Sequence, residues 1–313
     1  MKVLFMGTPE FAIPCLEALI DNYEVCGVVT QPDKPKGRGY VLTPPAIKVC
    51  ALEHGIPVYQ PETLKDGAFS ETLNALAPDV IVVVAYGKIL PSYVLDYPRL
   101  GCINVHGSLL PEYRGAAPMQ RAIIDGKQQT GVTTMYMARG LDTGDMLEKS
   151  VCDITVDDNF ESIHDKLSIL GSKLIISTLN KLEKGEITPV PQDEGASTYA
   201  EKIDKSDCII DFNCTVKCIH DRIRGLSPFP LSFAYLKSKM IKFVSSVIIS
   251  EKAPSVPCGT VISASGSLIE IACQDGVIGI STLLPEGKKR MSAEDFIRGR
   301  QISAGDIFTS EKN

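Results

Sequence analysis

From Met1 to about Ile187 the chain alternates short apolar runs with amphipathic stretches of helical period. Lys2–Met6, Val25–Thr30 and Val58–Gln60 read as strands, and Phe11–Ile20, Ala46–His54 and Ala68–Ala77 as helices. Asp79–Tyr86 contains a β-branched run without alternation, the pattern of a strand covered on both faces. Cys102–His106 and Gly131–Met137 are the next strands. Met119–Ile124 begins a helix, and Phe160–Lys184 is a long helix ended by Gly185. Strand–helix alternation of this kind predicts an α/β domain on a mainly parallel, doubly wound sheet.

The periodicity lapses between about Pro189 and Asp207, where polar and turn residues dominate. One helix follows, over Thr215–Gly225. Strand-like stretches then fall near Ser232–Leu236, Met240–Ser250, Gly259–Ser263, Leu268–Cys273 and Gly276–Leu284. Several short strands at this spacing predict a small β-barrel. The expected division is an α/β domain over 1–188, a linker over 189–206 and a C-terminal domain over 207–313.

Composition narrows the class. The chain has 313 residues, 44% of them hydrophobic, too many for a disordered protein. Its longest wholly apolar run, Val80–Tyr86, is far short of the ~20 residues that a membrane helix needs. The opening MKVLFMGTPEF reaches a turn where a signal peptide would stay apolar, so a cytoplasmic protein is expected. Ten cysteines in a chain with no export signal read as reduced thiols. Cys208, Cys214, Cys218 and His220 form the densest group, but the spacing fits no common zinc pattern and no metal is expected. The net charge of −6 is uneven. Residues 207–313 carry 13 Lys and Arg against 11 Asp and Glu, whereas 1–206 carry 19 against 27. A mildly basic C-terminal third on an acidic body hints at a polyanionic partner.

The most informative stretch is Gly101-Cys-Ile-Asn-Val-His-Gly-Ser-Leu-Leu-Pro111. Asn104 and His106 lie two apart on one strand, so their side chains share a face. They stand at its C-terminal end, where open α/β sheets place ligands. A lone histidine there would be a satisfied core residue. The pair offers a carbonyl-polarising donor beside a proton carrier. Arg139-Gly-Leu-Asp-Thr-Gly-Asp145 follows the Gly131–Met137 strand, and is either an ordinary Asp-rich turn or one that aims a carboxylate back at the same edge. The segment Gln31–Gly39 holds Lys34, Lys36 and Arg38 against one anion, Asp33. Its Pro and Gly predict an exposed, mobile loop without regular structure, which is either solvated surface or a phosphate contact. Lys288–Arg290 and Arg298–Arg300 are weaker basic spots. The sheet reads as Rossmann-like, yet no G-x-G-x-x-G, Walker A, H-E-x-x-H or G-x-S-x-G pattern is present.

Taken in order, these segments resemble the 10-formyltetrahydrofolate-dependent formyltransferases. The resemblance is carried by Asn104-Val-His106 with Ser108-Leu-Leu-Pro111, by Arg114-Gly-Ala-Ala-Pro118 and by Leu141-Asp-Thr-Gly-Asp145. Met6–Phe11, Gln31–Asp33 with Gly37–Gly39, Ala85–Pro91 and Ile223-Arg224 followed by Pro228-Phe-Pro230 extend it over the whole chain. Tyr40-Val-Leu stands where the family often has further lysines, and Phe229 where it usually has Trp.

The resemblance implies an OB-like C-terminal barrel that contacts tRNA; a monomer is expected. It implies Asn104, His106 and Asp142 as catalytic positions and Ser108, Leu109, Leu110 and Pro111 as the segment binding the folate. It further implies formyl transfer from 10-formyltetrahydrofolate to the α-amine of initiator methionyl-tRNA, with Lys34, Lys36 and Arg38 as tRNA contacts. Other acceptors, a sugar nucleotide or water, would keep the chemistry but need no basic arm. A tRNA-binding protein without activity would have no use for the intact trio.

Overall fold

The computed structural model describes residues 1–36 and 40–312. In chain order the first elements are β1 (Lys2–Gly7), α1 (Ile13–Asn22), β2 (Glu24–Val29), β3 (Lys34–Lys36), β4 (Val41–Thr43), α2 (Ala46–Glu53) and β5 (Val58–Tyr59). Next come α3 (Phe69–Leu76), β6 (Val80–Val84), α4 (Ser92–Leu95), β7 (Cys102–His106), β8 (Arg114–Gly115), α5 (Pro118–Ile124), β9 (Gln129–Tyr136), β10 (Met146–Asp153), α6 (Phe160–Lys184) and β11 (Tyr199–Ala200). The remainder is α7 (Val216–Gly225), β12 (Ser232–Leu236), β13 (Lys239–Ser250), β14 (Val261–Ser265), β15 (Leu268–Ala272), β16 (Val277–Pro285), β17 (Met291–Ser292), α8 (Ala293–Arg298) and β18 (Phe308–Thr309).

These elements form two compact units, and neither is continuous in sequence. The first comprises Met1–Gly115, Thr130–Asp153 and His164–Ala200; the second comprises Ala116–Gln129, Ile154–Ile163 and Glu201–Asn313. Cutting the sequence near 188 and 207 captures most of each. It also assigns α5 and the start of α6 to the first unit, whereas they belong to the second.

The first unit is built on a seven-stranded sheet in the order β10-β9-β7-β6-β1-β2-β5. β5, β2, β1, β6 and β7 run parallel to their neighbours, and β9 is antiparallel to β7. The chain leaves β1 in one direction for β2 and returns on its other side as β6. At such a reversal, open α/β sheets place their ligands outside the carboxyl ends of the strands. All five valine and isoleucine side chains of β6 are buried, as the unalternated run predicts. In β7 Asn104 alone is not fully buried, the first sign that this strand does more than pack.

In the second unit an antiparallel sheet runs β14-β15-β16-β13-β12-β18, with β17 beside β16. It curls, and a bridge from Thr260 to Ile307 ties the residue just before β14 to the residue just before β18. α7 lies against this sheet. The Thr215 hydroxyl accepts from the Cys218 amide and the Asp275 carboxylate from the Val216 amide, which caps its first turn. α5 packs on α7 at Gly225, where a Cβ would stand 2.8 Å from Cγ1 of Ile124.

Among the described residues no helix is long and apolar enough to cross a membrane. None of the ten cysteines is disulfide-bonded. Cys208 is buried and Nδ1 of His220 is 2.9 Å from the Ser246 hydroxyl; among the described residues no cluster of His, Cys, Asp or Glu could hold a metal ion.

Candidate functional site

β7 delivers Asn104 and His106 to the C-terminal edge of the sheet, held in register by Val83 on one side and Met135 and Thr133 on the other. The His106 ring is buried, and its Nε2 is 2.9 Å from the carbonyl oxygen of Tyr113. A carbonyl can only accept, so Nε2 carries a hydrogen, and in the neutral ring Nδ1 is the nitrogen with the lone pair. Nδ1 faces the carboxylate of Asp142, with Oδ2 at 3.7 Å. The side-chain amide of Asn104 is half-buried and, among the described residues, commits to no hydrogen bond.

Asp142 reaches this point because its own backbone is left-handed, at φ +52°. Its Oδ2 accepts the amide hydrogen of Gly115 at 2.9 Å. Gly144, two residues on, lies so close to β9 that a Cβ would stand 1.7 Å from the Tyr136 carbonyl oxygen. The turn thus lies hard against β9. Asp145 is exposed, and its backbone carbonyl accepts from Tyr136. Of the two carboxylates in the segment, Asp142 is the one beside His106.

The Ser108–Pro111 segment forms a tight turn whose polar groups point inward. The Ser108 hydroxyl donates to the Glu112 carbonyl at 2.6 Å. The Thr133 hydroxyl donates to the Ser108 carbonyl and accepts from the Leu110 amide. The Leu110 carbonyl accepts from Nζ of Lys149. Ser108 and Leu110 are fully buried, which leaves the half-buried Leu109 and Pro111 as the surface of the segment. A heterocycle lying there would meet apolar carbon, not the serine hydroxyl.

Three other segments of the family pattern converge at one atom. The carbonyl oxygen of Tyr86 accepts from the Thr8 hydroxyl at 3.1 Å and from the Gln31 side-chain amide at 2.9 Å. Gly87 sits at φ +78°, left-handed backbone that favours glycine, and a Cβ there would stand 2.6 Å from that Gln31 nitrogen and push it aside. The Tyr86 ring is buried, and burial pushes its hydroxyl up to about 12.

The Gln31–Gly39 segment corrects one expectation. Lys34–Lys36 pairs antiparallel with Val41–Thr43 as a two-stranded ribbon, so Pro35 does not exclude regular structure. An edge strand has no need of its missing N–H. The ribbon's base is pinned at Asp33, whose carboxyl is held below the usual carboxylate range by the Gln60 amide and by Lys48. Lys34 is exposed, and its Nζ donates to Gln31 at 2.6 Å. Arg38 lies outside the described residues.

Sequence reasoning missed a second group. Arg114 is fully buried and forms two parallel bonds with Glu194, at 2.8 and 3.0 Å. Bonding to Glu194 raises the guanidinium pKa further, and the same contact holds the Glu194 carboxyl low. Nε of Arg114 donates to Gln192. The expected linker is therefore structural in part. Val190 exchanges backbone bonds with Met146, and Thr198 takes up the main chain of Pro111, Tyr113 and Arg114. The only signal was Arg114 itself, a cation inside an otherwise small-residue motif.

Comparison with known proteins places the chain in a family. Residues 1–179 match the formyl transferase family model, and residues 202–301 match that of the formyl transferase C-terminal domain. The chain is 46% identical to the methionyl-tRNA formyltransferase of Clostridium novyi, over 98% of this chain and 100% of that protein. It is 48% identical to the methionyl-tRNA formyltransferase of Geotalea daltonii, over 97% of each. Among solved structures, an N-formyltransferase from Helicobacter canadensis, in complex with folinic acid and dTDP-3-aminofucose, shares the fold. Its TM-score is 0.69 at 19% identity, over 90% of this chain and 98% of that one.

Proposed function

We propose, for a chain that belongs to the formyl transferase family through both its N- and C-terminal regions, that it transfers a formyl group from 10-formyltetrahydrofolate to the α-amine of initiator methionyl-tRNA. The observation that carries this reading is near-half identity, from end to end, with methionyl-tRNA formyltransferases, joined to the placement of Asn104, His106 and Asp142 at one sheet edge. The reading includes a cytoplasmic location and a monomeric enzyme.

The donor supplies a formyl group already activated on nitrogen, so the protein needs no covalent nucleophile. Asn104, with its amide uncommitted, donates to the formyl oxygen as negative charge builds there. As the α-amine bonds to the formyl carbon, His106 keeps its Nε2 hydrogen on the Tyr113 carbonyl and takes the amine's proton at Nδ1. Asp142 then faces an imidazolium at 3.7 Å and stabilises it. His106 returns that proton to N10 as the bond between N10 and the formyl carbon breaks and tetrahydrofolate leaves. Leu109 and Pro111 offer an apolar bed for the folate, while Ser108 and Leu110 shape the turn beneath them. Lys34 and Lys36 of the ribbon, together with Arg38 of the same segment, serve the phosphates of the acceptor.

The test is turnover with 10-formyltetrahydrofolate and charged initiator tRNA, with charged elongator methionyl-tRNA, an amino-sugar nucleotide and water as competing acceptors. N-formylmethionyl initiator tRNA is the expected product. Preferential formylation of the sugar nucleotide, or release of formate alone, would overturn the assignment.

A further inference from the structure

We propose that Gln192 is a positioning residue for the reaction, acting through the backbone of Asp142; this rests on the proposed role of Asp142. Its side-chain nitrogen donates to two carbonyls of one turn, those of Asp142 at 2.7 Å and Gly144 at 2.8 Å. Both hydrogens of the amide are thereby used. The orientation is not free to reverse, because Nε of Arg114, which can only donate, is 2.9 Å from Gln192 Oε1. Arg114 is itself fixed by donating two parallel hydrogen bonds to the Glu194 carboxylate and by complete burial.

The arrangement grips Asp142 from two sides. Arg114 orients Gln192, which holds the main chain of the turn. Gly115, the next residue, donates its amide hydrogen to the Asp142 carboxylate. One dipeptide therefore controls both the backbone and the side chain of the carboxylate facing His106. Such a grip has a purpose here, since Asp142 occupies left-handed backbone that non-glycine residues disfavour. Released from Gln192, the turn can relax toward ordinary backbone and carry the carboxylate away from Nδ1 of His106. The bridge between Met146 and Val190 keeps Gln192 at the right height beside the turn.

The experiment uses the full chain with 10-formyltetrahydrofolate and charged initiator tRNA. Gln192→Glu keeps the length and the acceptor for Arg114 but turns an oxygen toward the two carbonyls. It should lower kcat about 10- to 100-fold, with KM for both substrates changed less than about threefold. In an Asp142→Asn background the same substitution should cost less than about threefold, because the charge it positions is gone. Gln192→Met, of the same length and without donors, should behave alike and replaces Gln192→Glu if that variant fails to fold. Unchanged kcat in both variants, or an equal loss in the Asp142→Asn background, would overturn the role of Gln192. Parental turnover in Asp142→Asn alone would instead sink the role of Asp142, and the inference with it.

Discussion

Asp142→Asn separates charge from geometry, because the oxygen that accepts the Gly115 amide hydrogen can stay where it is. What disappears is the negative charge 3.7 Å from Nδ1 of His106. The two side chains are only 7% and 13% exposed, so solvent screens them poorly. With an effective dielectric of about 20, a full charge pair at that distance is worth about 4 kcal/mol. Each 1.36 kcal/mol added to a barrier is tenfold in rate, so kcat should fall about 10³-fold. KM for the tRNA should hardly change, and the thermal midpoint should stay within a few degrees, since the turn keeps its bonds. Single-turnover formylation at saturating donor, with circular dichroism as a check on the fold, measures both quantities. A loss smaller than about tenfold, in a variant that folds normally, would mean that no imidazolium forms beside Asp142 during the rate-limiting step.

His106→Ala should lower kcat by at least ~10²-fold and Asn104→Ala by ~10²–10³-fold, each with tRNA affinity preserved in filter binding. Neutralising Lys34, Lys36 and Arg38 together should flatten the dependence of tRNA affinity on salt by up to ~2–3 units in log K against log salt. An unchanged slope would reduce the ribbon to solvated surface. Burial opposes ionisation of Glu148, yet hydrogen bonds from Lys181, Thr178 and Ser177 more than offset it, so its carboxyl lies below its usual range. A depressed carboxyl stabilises the fold above its unfolded pKa and ceases to do so as pH falls through the folded value. Glu148→Gln should therefore cost about 1–2 kcal/mol in urea unfolding at neutral pH, a difference that shrinks below about pH 4.

What could be read in advance depended on whether a residue's reason lies near it in the chain. β6 and β7 announce themselves, because a run such as Val80–Val84 has no alternative but a doubly covered strand. Asn104 and His106 were legible for the same reason: two polar groups in such a strand need a purpose. The pairing of Lys34–Lys36 with Val41–Thr43 was hidden behind Pro35, whose usual meaning as a breaker fails on an isolated edge. α8 was obscured by its charge, although Ser292 caps it by accepting from the Asp295 amide. Gln192 was illegible altogether. Its partners lie about 50 and 78 positions away, in a segment whose composition says only that it is polar.

The interleaving of the two units limits how this protein can be taken apart or recombined. A gene cut at the family boundary near 180 would strip the catalytic half of Val190, Gln192, Glu194 and Thr198, and with them the props beneath Asp142 and Arg114. A cut after Ala200 retains those props but still strands α5, whose partner Gly225 lies in the other piece. Exchange of C-terminal regions between relatives should succeed only where the α5–α7 contact is transplanted as a pair. Lineages that shuffle these halves are thus expected to carry the 116–129 and 216–225 stretches from the same parent, and a chimaera that mixes them should express poorly even when both parents are fully active.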